Sequence, residues 1–118
     1  MPDPAPQLGK VAPRLAQRLV GMAAAEPVEV VIELAGPPPE TGGSRAERVA
    51  AARAAFDRDV VDVRRAVAAA GGEVLDAVWL NRTVRGRVPA GGVATVAADE
   101  GVAVVDLPRR IELDGPGP

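Results

Sequence analysis

The chain contains no cysteine and no histidine. Without thiols there are no disulfide staples, zinc–thiolate sites, iron–sulfur clusters or cysteine nucleophiles. Without imidazole the commonest general base, the commonest metal ligand and every His-dependent triad are gone. Aromatics are nearly missing as well, with one Trp, one Phe and no Tyr. Serine and lysine occur once each, as Ser44 and Lys10. The net charge of -2 argues against a general binder of nucleic acid or anionic membranes. No apolar run approaches the ~20 residues of a membrane span. These absences point to a binding protein without cofactor, metal or catalytic residues.

What remains is ample for one folded unit. The 118 residues are 47% hydrophobic and 25% charged, a globular composition. A domain of this size buries roughly 65% of the surface its unfolded chain exposes. The 12 prolines cluster at both ends and at Pro37, Pro38 and Pro39, marking tails and one loop. Residues 1–27 read as a mobile start and a leading helix, residues 28–113 as the domain, and residues 114–118 as a tail. In the leading segment Leu8, Val11, Leu15, Leu19 and Met22 recur at three- and four-residue steps, and Pro13 suits the first turn of a helix running to about Ala25. Lys10, Arg14 and Arg18 ahead of Leu19 resemble a secretion signal in outline. The apolar run is short and broken by Gly21, so an amphipathic helix is the reading, and the cytoplasm the expected compartment unless a signal has been cut away with a precursor.

The remainder alternates by period. Val28 to Leu34 is a β-branched strand with Val28, Val30, Ile32 and Leu34 on one face and Glu29, Val31 and Glu33 on the other. Ser44-Arg45-Ala46-Glu47 is a capping box. The helix behind it carries Val49, Ala52, Phe56, Val60, Val63 and Val67 on one stripe, and Gly71-Gly72 stops it. Glu73 to Leu80 and Thr83 to Val88 form a hairpin about Asn81-Arg82. A short helix over Pro89 to Glu100 and a strand over Val102 to Leu107 follow. Strand–helix–strand twice over predicts a ferredoxin-like α+β fold, an antiparallel four-stranded sheet with two helices on one face. The first and third strands are then central neighbours, so Glu29 and Glu33 can lie across from Arg85 and Arg87 on the uncovered face, with Val31 and Trp79 beside them. Such a face is a docking surface or a solvated one, and fold alone does not choose.

Other candidates have plainer explanations. Ser44 lacks a base and fits the cap. Asp57, Asp59 and Asp62 are interleaved with arginines as an exposed ion lattice. Gly42-Gly43-Ser44 lacks the motif of a phosphate cradle. The central strands carry no aromatic on which RNA bases could stack. Asn81-Arg82-Thr83 matches a glycosylation sequon, but a turn that accepts Asn in the left-handed region explains it.

From Val74 to Leu113 the order of parts resembles the second half of a subtilisin-type protease propeptide. Val102-Ala103-Val104-Val105-Asp106 is similar to that family's Val-x-x-Val-acid strand, Asp99-Glu100-Gly101 to its preceding turn, and Val28 to Leu34 to its opening strand. The family's Asn-Gly-Phe turn stands here as Asn81-Arg82-Thr83. The resemblance implies a subtilisin-type serine protease as partner, inhibited and assisted in folding. It implies docking through the open sheet face (Glu29, Val31, Glu33, Arg85, Arg87), with the tail Arg109, Arg110, Ile111, Glu112 and Leu113 in the substrate cleft. Ile111 and Leu113 are the pocket-filling pair, unless they complete the last strand on the domain's own core. The alternative is an assembly module whose open face pairs with itself or another subunit.

Overall fold

A computed structural model describes residues 10–36 and 43–108. Helix α1 (Pro13–Val20) is followed by strand β1 (Pro27–Leu34), helix α2 (Arg45–Ala69), and the hairpin β2 (Glu73–Val78) and β3 (Thr83–Pro89). A 3-10 turn (Ala90–Gly92), helix α3 (Val93–Ala97) and strand β4 (Val102–Asp106) complete it. The strands pair antiparallel in the order β2-β3-β1-β4, the ferredoxin-like arrangement expected from the alternation of elements.

Alternation puts Val28, Val30, Ile32 and Leu34 of β1 under the helices, where all are buried. Phe56, Val60, Val63 and Val67 descend on them from α2, and Val93, Val96 and Ala97 from α3. The Ser44 hydroxyl accepts from the Glu47 amide at 3.1 Å, and the Glu47 carboxylate accepts from the Ser44 amide at 2.8 Å, so the capping box is formed at both bonds. Gly71 ends α2 with φ of 87°, a conformation open to glycine at little cost.

Four expectations need correction. The leading helix ends at Val20 instead of about Ala25, because Gly21 removes a helix-favouring side chain. The helix expected over Pro89 to Glu100 shrinks to Val93–Ala97: β3 continues through Pro89, and Ala90–Gly92 form the 3-10 turn. Gly92 is also needed for proximity, since a Cβ there would lie 2.6 Å from the Ala70 carbonyl oxygen. Val49 and Ala52 are not in the core: Val49 is 39% exposed and Ala52 half-buried. A helix of 25 residues is about 37 Å long, whereas the eight residues of β1 span about 27 Å, so the first turns of α2 overshoot the sheet. In the hairpin the residue with positive φ is Arg82 (54°), not Asn81. Its guanidinium donates to Asp59 Oδ2 at 2.8 Å and to the Ala35 carbonyl at 2.9 Å, contacts that offset the cost of that conformation.

Leu8 lies outside the described residues, but from Lys10 onward the leading segment is integral to the fold. Leu15 is fully buried in the same cluster as the sheet and α2, with Val11 beside it. Val11 bridges Val105 in parallel, the Ala12 amide donates to the Val105 carbonyl at 2.9 Å, and Lys10 Nζ reaches the Asp99 carbonyl at 3.0 Å. The outer edge of β4 is therefore occupied.

Candidate functional site

The sheet face opposite the helices is defined by register. One row across it reads Glu73, Arg87, Glu29; the next Asp76, Arg85, Val31, Asp106; the third Val78, Thr83, Glu33, Val104. Arg85 donates to Glu29 at 2.9 Å, diagonal to its direct neighbour Val31, and Arg87 donates to Glu73 at 3.1 Å. Glu33 stands opposite Thr83, so only Glu29 of the two expected glutamates meets an arginine of β3. The face carries five carboxylates against two guanidiniums, a surplus of negative charge. Both ion pairs are well exposed, and such pairs contribute only about 0.2–1 kcal/mol each. They order the centre of the face more than they stabilise the fold.

Trp79 does not belong to this surface. A bulge between Val74 and Asp76 inserts one residue into β2, which reverses the facing of everything after it. Asp76 and Val78 turn to the open side, while Ala77 and Trp79 pack against the core. Arg53 of α2 lies over the Trp79 ring, 5.3 Å from its centroid. A single inserted residue is invisible to strict two-residue alternation.

Strand addition is discouraged at both edges of the sheet. Residues 10–12 sit against β4, and Arg14 donates to the Leu107 carbonyl at 3.1 Å and to Asp106 at 3.5 Å. On β2 the bulge interrupts the ladder and the Asp76 carboxylate takes the Ala77 amide at 2.8 Å, devices that blunt an edge. A groove of about 530 Å³ separates α1 from the start of β1, lined by Arg14, Arg18, Met22, Glu26, Glu29 and Leu107 among others. It borders the open face at Glu29.

The residues weighed for chemistry have local partners. Ser44 is committed to its cap, and Asp59 and Asp62 to arginines at 2.8 and 3.2 Å. Glu47 already occupies the amide end of α2, where an anion would sit. Among the described residues no three of His, Cys, Asp and Glu converge as a metal-holding group, and no helix is long and apolar enough to cross a membrane. The tail residues Arg109, Arg110, Ile111, Glu112 and Leu113 lie outside the described residues; the chain leaves β4 through half-buried Leu107 and Pro108.

Comparison with protein-family models, curated proteins and solved structures returns no match to this chain. The open face therefore has to be interpreted from its own chemistry. Two features of it escaped the reading of the sequence, the parity of β2 and the closure of β4 by residues 10–12. Pro13 and the Leu15-Leu19-Met22 spacing signalled a helix, yet nothing in that pattern named its contact.

Proposed function

We propose that this chain is a propeptide-like binding protein that docks its open sheet face on a subtilisin-type serine protease and inhibits it, with residues 109–113 following β4 into the substrate cleft. It acts by occupancy and is not itself an enzyme. The observation that carries the reading is the strand order β2-β3-β1-β4 with helices on one side, which leaves Glu29, Val31, Glu33, Arg85 and Arg87 together on the other. Blunted edges support docking by face instead of by strand addition. Four strands of this length present about 400 Å² in plan, a small footprint for a standard stable interface, which buries ~800 Å² of accessible surface per partner. A second contact would enlarge it, and an extended tail in a cleft supplies main-chain hydrogen bonds and side-chain pockets. The assembly alternative is weaker: two copies placed face to face would oppose like charges, because the two arginines are already paired within each face.

The test is peptide hydrolysis by a subtilisin-type protease in the presence of the full chain, a chain ending at Pro108, and a Val31→Asp/Arg85→Glu variant. The full chain is expected to inhibit at micromolar concentration, the shortened chain to lose inhibition, and the face variant to inhibit at least tenfold more weakly. Unchanged hydrolysis with the full chain present would overturn the proposal. A mass that doubles with concentration, and stays monomeric in the face variant, would favour assembly instead.

A further inference from the structure

The overshooting end of α2 makes a second surface, on the opposite layer from the open face. Arg45, Val49 and Arg53 repeat at four-residue steps and continue the stripe that buries Phe56, Val60, Val63 and Val67 lower on the helix. Past the end of the sheet that stripe loses its partner. Beside it stands the β2–β3 turn, pinned to α2 by Arg53 over Trp79 and by Arg82 on Asp59. Leu80 in this turn is 76% exposed, the most exposed leucine among the described residues. Val49 stands one turn before Arg53 on the helix and Leu80 directly follows Trp79 in the turn, so each element of the Arg53–Trp79 contact carries an exposed apolar residue next to it in sequence.

The charge here is opposite in sign to the open face. Arg45, Arg48 and Arg53 form no ion pair with any described carboxylate, although Arg48 donates to the Gly43 carbonyl at 2.8 Å, and Glu47, an acid in the same stretch, has its carboxylate on the Ser44 amide. The geometry points to a docking site for an acidic amphipathic segment of a partner protein, its apolar side against Val49 and Leu80 and its carboxylates toward Arg45, Arg48 and Arg53. A peptide fits better than a membrane surface. Trp79 lies beneath Arg53 instead of projecting, and an apolar pair between a helix and a turn offers a directional seat. Because this surface is separate from the open face, it can be filled while the face is engaged.

Trp79 is the sole tryptophan, so it reports binding at this place without a label. The probes are a Leu/Glu amphipathic peptide, a Leu/Lys peptide of the same pattern, and vesicles containing phosphatidylserine. Saturable change in Trp79 emission at micromolar Leu/Glu peptide is expected, weakened at least tenfold by Arg45→Glu and, separately, by Val49→Asp, with circular dichroism unchanged in both. Salt should weaken it further. Equal response to the Leu/Lys peptide, response to vesicles alone, or no response would overturn the inference. So would a response that appears only after Pro37, Pro38 and Pro39 are replaced by serine, which would make the chain's own loop the occupant.

Discussion

Replacing Leu15 with alanine tests whether α1 is part of the cooperative unit. The side chain has no solvent exposure and sits in the cluster that includes Ile32, Val63 and Val105, with Ala16, Leu19 and Met22 packed around its edge. Removing a buried leucine to its Cβ costs about 2–5 kcal/mol, the spread reflecting how far the site can collapse. Leu15 is near the rim of the fold, where a short helix can settle inward, so about 3 kcal/mol is expected. That is a large share of the ~6–18 kcal/mol anticipated for a domain of 118 residues. It corresponds to a fall in Tm of roughly 10 °C. Urea unfolding followed by Trp79 fluorescence and by far-ultraviolet circular dichroism measures it, and the two transitions should coincide. Val20→Ala on the same helix is the control, since Val20 is 86% exposed and its truncation should shift stability by less than about 0.5 kcal/mol. A Leu15→Ala cost as small as the control's, or a helical signal lost before the tryptophan transition, would show α1 to be an appendage and the closure of β4 to be unimportant.

Arg82→Met keeps the length of the side chain but leaves the Asp59 carboxylate and the Ala35 carbonyl without their donor, and is expected to cost about 1–3 kcal/mol in urea unfolding. Ser44→Ala removes the hydroxyl that accepts from the Glu47 amide and should cost about 1 kcal/mol, with slight loss of helical signal at the overshooting end of α2. A double-mutant cycle on Glu29 and Arg85 should return a coupling of about 0.2–1 kcal/mol that fades in high salt, because both side chains are well exposed.

The elements most legible in the sequence were those whose signal is local. The Ser-x-x-Glu capping box, the valine alternation of β1 and the Gly71-Gly72 stop each depend on a few neighbouring residues, and each is formed as read. Relations between elements were legible only where topology fixes them. Strand–helix–strand repetition with right-handed crossovers forces β1 beside β3, and so Glu29 onto the same face as Arg85 and Arg87. What escaped depended on length matching and register. Val49 has the right helical phase for the core but stands on a helix that outruns the sheet. Trp79 has the right parity for the open face until a bulge near Leu75 reverses it. Neither error arises from the residue itself, since valine and tryptophan are both apolar and both suited to burial.

The bulge that misplaces Trp79 also connects the two surfaces. Had β2 paired without it, Trp79 would face outward beside the arginines of β3, and the uncovered face would carry a large aromatic anchor of the kind that concentrates binding energy. With the bulge, the face retains Val31, Val78 and Val104 as small apolar contacts among charges, while the aromatic joins α2 and the turn. On the proposed reading, a face built this way would select its partner by charge pattern and shape more than by a single deep contact. On that reading the affinity would come from an added segment, so removal of the residues beyond Pro108 is expected to matter more than any one substitution on the sheet.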